Sequence, residues 1–139
     1  MNRARTWAVA GTASFAGIVV LAVVSTHSNE VGGPLCVAHQ ESDIATMEHA
    51  VKPLLPKQDR GLIIATSGCK SGDPASISWD TTRPADETLT SLAHAGWARL
   101  PNPQAMGVDD GYATTTGPAP ITVTYLAVNS AFYASTPGN

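Results

Sequence analysis

Cys69, in the run SGCKSGDP, is the side chain of this sequence that most invites a catalytic reading. A cysteine attacks as its thiolate and needs a neighbouring base or cation to form it. Lys70 is adjacent, but no histidine stands nearby in sequence. A second reading is zinc held by Cys36, Cys69 and His39 or His49, although the paired ligand spacing of structural zinc sites is missing. A third is a disulfide, since Cys36 and Cys69 are the only cysteines and lie 33 residues apart. Closing a loop of that size stabilises a small domain by about 3–4 kcal/mol. A thioredoxin-like redox pair has no C-x-x-C to support it.

Other clusters carry weaker signals. His39, Glu41 and Asp43 alternate, which would bring three ligands to one side of an extended chain or leave them solvated at the start of a helix. His49 sits beside Glu48, and His94 follows Glu87 by two helical turns. Asp109, Asp110 and Gly111 suggest a turn more than a calcium loop, because the further oxygen ligands of such a loop do not follow. No phosphate-binding loop, dinucleotide fingerprint, H-E-x-x-H or G-x-S-x-G is present. The sequence assigns no catalytic, cofactor-binding or metal-binding residue.

Which chemistry Cys69 performs depends on its compartment. Arg3 and Arg5 precede 19 uncharged residues, 7–25. As a helix these would be about 28 Å long, close to the hydrocarbon thickness of a bilayer. The arginines place the N-terminus in the cytoplasm and the rest outside. A cleaved signal peptide is the alternative, with Val23 three residues and Ser25 one residue before the cut and the remainder secreted. Either route exports residues 26–139 to an oxidising compartment, where cysteines are usually paired, and Cys36–Cys69 becomes the expected bridge. Within the apolar run, Ala13 and Gly17 form a small-xxx-small pair that would let two membrane helices approach.

The exported part carries all 11 acidic residues and six of the eight basic ones, a formal charge of −5. That balance excludes a nucleic-acid partner, because no basic stripe exists to neutralise phosphates. Its length suits one domain.

Residues 26–35 read as a short stalk rich in polar residues and Gly-Pro, followed by a domain over 36–134 and a polar tail over 135–139. Ile44, Met47, Val51 and Leu54 recur at helical spacing behind a Ser42 or Asp43 cap, and Pro53 stops or bends the helix. Branched residues predict a strand over 61–67, and the alternation of Ile77 and Trp79 with Ser78 and Asp80 predicts its antiparallel partner. A second helix is predicted with Pro84 in its first turn, Asp86 and Glu87 near its positive end and a stripe of Leu89, Leu92, Ala93 and Gly96. Gly96 reads as its terminal cap, from which Trp97 opens a strand through Leu100. Further strands are expected at YATTT and as one long strand over 121–134. Trp79 and Trp97 are expected in the core, and Tyr112, placed in a loop, nearest the surface. The expected class is α+β, with two helices packed on one face of a mainly antiparallel sheet, preceded by one N-terminal transmembrane helix.

Through TSGCKSGD and TLTSLAHAGWARL the chain resembles small exported or membrane-anchored proteins of actinobacterial type, which mostly lack an assigned activity. The resemblance implies an α+β domain and a disulfide, carried on Cys36, Cys69, Gly96 and Trp97. It implies no catalytic residue, and Lys70 stands where similar turns often have an aspartate. The expected function is a membrane-anchored extracytoplasmic domain that is structural or binds a partner, such as another cell-envelope protein or a second copy. The alternative is an extracytoplasmic hydrolase assembled from scattered His and Asp residues.

Protease treatment of intact spheroplasts is expected to digest the domain, and N-terminal sequencing to find Met1 or Asn2. An N-terminus at Thr26 would replace the anchor with secretion.

Overall fold

The computed structural model describes residues 32–137 apart from Thr116 and Pro118. The candidate anchor or signal peptide, with Ala13, Gly17, Val23 and Ser25, lies outside the described residues. Among the described residues, no helix is long and apolar enough to cross a membrane.

The first helix, α1 (Pro34–Val51), begins eight residues before the expected cap at Ser42. Proline suits the first helical turn because its missing N–H would have no partner there, and Gly33 precedes it in extended geometry. Helix α1 therefore takes the last two residues assigned to the stalk. The reason lies in its buried face. Cys36, Gln40, Ile44, Met47 and Val51 follow at three- to four-residue intervals, so the stripe that faces the domain begins six residues ahead of Ser42. Lys52 keeps helical geometry at φ −48° and ψ −43° although Pro53 follows it, but Pro53 has no N–H to continue the α-helical ladder, and the chain tightens into a 3₁₀ turn, Lys52–Leu54, before burying Leu55.

Strand β1 (Ile64–Thr66) is shorter than the 61–67 expected, because Gly61 and Leu62 belong to a preceding 3₁₀ turn, Asp59–Leu62. It pairs antiparallel with β2 (Ser76–Asp80), Ala65 opposite Ile77. Along β2, Ile77 and Trp79 are buried while Ser78 and Asp80 face the other way, as their alternation predicts.

Helix α2 (Ala85–His94) has Pro84 just outside it at the N-cap instead of in the first turn. Its C-terminus closes as the sequence suggests. Gly96 takes φ +84°, its N–H donates to the Ala93 carbonyl at 3.0 Å, and the Trp97 N–H donates to that of Leu92 at 3.1 Å. This pair of bonds satisfies carbonyls that the helix leaves open. The buried stripe is Thr88 and Leu92, with Ala85 and Leu89 packed beside them. Ala93 and Gly96, expected on that stripe, are exposed.

After β3 (Ala98–Arg99) and β4 (Asp110–Ala113), the expected single strand over 121–134 is a hairpin of β5 (Thr122–Leu126) and β6 (Ala131–Ser135). Fourteen extended residues would run about 46 Å, far beyond the five-residue partner strands. The chain instead turns through Ala127–Asn129, with Ser130 in the left-handed region at φ 50°. Strand β6 also absorbs Ser135, and Thr136 is buried, so the expected polar tail begins inside the fold.

The six strands run in the order β1-β2-β6-β5-β4-β3, every neighbouring pair antiparallel. Helix α2 carries the chain from β2 to the far edge, and the meander β3 to β6 returns to β2. Met47 and Val51 of α1 and Leu92 of α2 share one core with Ile77, Trp79, Val123, Phe132 and Ala134. Trp97 is half-buried against it. The fold is α+β, with its two helices packed against an antiparallel sheet.

Phe132 is fully buried and stacks on Trp79 at 5.3 Å between ring centroids. Phe132→Ala is expected to cost about 3–5 kcal/mol in chemical denaturation. Val128→Ala, at a residue 87 % exposed, is expected to stay within about 0.5 kcal/mol of the wild type.

Candidate functional site

The residues with chemical potential gather at the end of the sheet where β1 finishes and β2 starts. Cys36, in the first turn of α1, is bonded to Cys69 in the β1–β2 connection, with Cα atoms 5.8 Å apart. Both thiols are thereby consumed, which removes the catalytic and zinc readings of Cys69. One helical turn beyond Cys36, Gln40 is buried and holds the same connection through its amide. Its Oε1 accepts from Ser67 Oγ at 2.8 Å and from the Gly68 N–H at 2.6 Å, and its Nε2 donates to the Asp73 carbonyl at 2.9 Å.

Gly68 is required there. A Cβ on it would lie 2.1 Å from the Asp73 carbonyl oxygen. The Gly68 carbonyl in turn accepts from the N–H groups of Ser71 and Gly72. The loop is thus a folded platform fixed by one covalent bond and one amide. Gln40 is absent from the candidates the sequence offers. Its position four residues after a bridging cysteine, on the same helical face, is the signal that points to it.

Beside this platform lies a cleft of about 240 Å³, lined among others by His39, Gln40, Asp43, Asp73 and Thr136. His39 Nε2 and Asp43 Oδ2 are 3.6 Å apart across one helical turn. Glu41, the third member of the alternating trio, projects from a different side of the helix, because residues two apart do not share a helical face. The three would converge only on an extended backbone, and α1 is helical here. Among the described residues no three His, Cys, Asp or Glu side chains gather as a metal site. The Ser67 hydroxyl, next to the cleft, donates to Gln40 and serves the loop.

The remaining candidates are dispersed. His49 is exposed on α1 and His94 is exposed in the last turn of α2. Asp109 and Asp110 point to different partners. Asp109 Oδ2 accepts from the Ala127 N–H at 2.7 Å, closing the β5–β6 turn. Asp110 accepts two bonds from Arg99, at 2.9 and 2.8 Å, and one from the Gly111 N–H. Partial burial pushes the Asp110 carboxyl up, but the Arg99 hydrogen bond, the Gly111 N–H and the Arg99 charge outweigh it and hold the group below the usual carboxylate value. The same pairing pushes the Arg99 guanidinium up.

The aromatic expected at the surface is not the one found there. Tyr112 lies in β4, half-buried against the core, whereas Tyr133 of β6 is the exposed ring. Strand alternation decides this: Phe132 and Ala134 face the helices, so Tyr133 faces away. The register sets Tyr133 between Ser78 and Thr124, with Ile64 beyond Ser78. Ser76, Ser135 and Thr122 form the next row. On the other side of the Tyr133 row lie Asp80, Ala131 and Leu126, so this second face of the sheet has hydroxyls on one side of the ring and a mixed row on the other, with Ile64 exposed at its edge.

Because the folded-state pKa of Asp110 is depressed, its contribution to stability is present above the unfolded value, near 3.8, and is lost as pH falls through the lower folded value. Asp110→Asn is expected to lower Tm at pH 7, and the gap from wild type to close below about pH 4. A gap unchanged at pH 3 would contradict the pairing.

The sequence matches no protein-family model, no curated protein and no solved structure.

Proposed function

We propose that this chain is a single-pass, membrane-anchored domain outside the cytoplasmic membrane that works by binding another component of the cell envelope. The observation that carries the reading is the sheet face bearing Ser78, Thr124 and Tyr133, which lies opposite the helices and is left half-buried or exposed. A sheet covered on both sides has no such face to offer, and antiparallel sheets are the kind that tolerate one solvated side. Three further points support it. The disulfide suits an oxidising compartment. Residues 7–25 have the length and flanking charge of an anchor. The strongest nucleophile in the sequence is spent on a structural bond. The loose resemblance to exported actinobacterial-type proteins points the same way. The acidic balance favours a partner other than nucleic acid, and a second copy joined through Ala13 and Gly17 is one form the partner takes.

A photoreactive side chain in place of Tyr133, in the full-length protein in its own membrane, tests this. A discrete adduct is expected that is missing when the same group replaces His94. If that adduct is the protein itself and is lost on Gly17→Leu, the partner is a second copy. Equal adducts from both positions, together with a hydrolytic activity abolished by His49→Ala or His94→Ala, would overturn the binding reading in favour of the hydrolase.

A further inference from the structure

The first turn of α1 is unusual in what it exposes. Pro34, Leu35, Val37 and Ala38 are all open to solvent, Leu35 at 60 % and Val37 at 41 %, and of this turn only Cys36 faces the domain. Successive residues are about 100° apart around a helix, so the turn is apolar nearly all round. A helical segment of that kind belongs in an apolar environment. No Asp, Glu, Lys or Arg stands between Glu30 and Glu41.

The position of this turn in the chain identifies its surroundings. Eight residues, 26–33, separate the end of the apolar run from Pro34, and eight residues span at most about 29 Å even when fully extended. The disulfide places Lys70, exposed, next to the same turn, and Asp43 and Asp73 line the cleft behind it. One lysine against two carboxylates gives no net positive charge to draw this end to a membrane, so apolar burial is the term left to favour contact. Two side chains bury too little area to hold a free protein on a membrane. A tether this short makes the contact intramolecular, so a weak apolar interaction suffices.

We infer that the first turn of α1, through Leu35 and Val37, lies in the headgroup region of the membrane's outer leaflet and fixes the orientation of the domain. The inference rests on the anchor reading above. It sets the disulfide end of the sheet toward the lipid, and the β5–β6 turn at the opposite end, with Val128, away from it.

The test uses the full-length chain, with leucine and valine methyl groups labelled, in phosphatidylcholine nanodiscs containing a lipid with a nitroxide near its headgroup. Loss of the Leu35 and Val37 methyl signals with retention of that of Val128 is the expected result. If the chain co-elutes with the discs but all three signals survive, the anchor stands and the lipid contact is wrong. If the chain does not co-elute, the anchor reading falls and this inference with it. Loss of the signals only in discs holding two chains would assign the turn to a second copy and likewise overturn the lipid contact.

Discussion

The pairing of β2 with β6 is the constraint on which the rest of the fold depends. It joins the N-terminal hairpin to the C-terminal meander across about fifty residues of chain, and it sets Trp79 opposite Phe132. Their rings stack nearly parallel, 8° apart, and Tyr125 leans on Phe132 at 4.8 Å. Aromatic pairs contribute beyond the area they bury, and here they do so at the centre of the sheet. Without this pairing β1 and β2 would be an isolated hairpin, which is marginal in water. Helix α2 would then have only the meander to cover. Strand β6, the last of the described strands in chain order, is thus the one that joins the two parts of the sheet.

The disulfide and Gln40 solve a different problem. Helix α1 covers β2, but the connection from β1 to β2 is a nine-residue segment, 67–75, rich in glycine and serine, costly to order. Cys36–Cys69 limits its freedom in the unfolded chain. Gln40 supplies partners to backbone groups that the compact loop turns inward, and such groups are expensive to bury unpaired. The bridge and the amide lie on one helical face four residues apart, so rotating α1 would break both.

One-sided coverage of the sheet links fold to function. Both helices spend their apolar stripes on the Trp79 and Phe132 face, and the opposite face is mixed, with the hydroxyls of Ser78 and Thr124 beside Tyr133 and with Asp80, Ala131 and Leu126 in the next row. The hydroxyls are compatible with water and equally with a polar partner. At one sheet edge β1 is three residues long with all of them exposed, and such brevity limits unwanted edge pairing.

The sequence by itself determined the helical stripe of Met47 and Val51, the alternation of Ile77 and Trp79, the Gly96 cap and the pairing of the two cysteines. These are local patterns or consequences of composition, and each follows from a handful of neighbouring residues. Only the tertiary structure decided where α1 begins, because the bond of Cys36 and the burial of Gln40 against a distant loop override the local cap signal at Ser42. It alone broke 121–134 into two strands: every residue there favours extended chain, and the limit on length comes from the partners. It placed Tyr133 at the surface and Tyr112 inside, since the face a strand residue takes is set by register with strands remote in sequence. Glu41 parts from His39 and Asp43, which stay neighbours across one turn, because a helix stands where the isolated motif allows a strand. Local chemistry names the residues, but their company depends on contacts between segments that no short window contains.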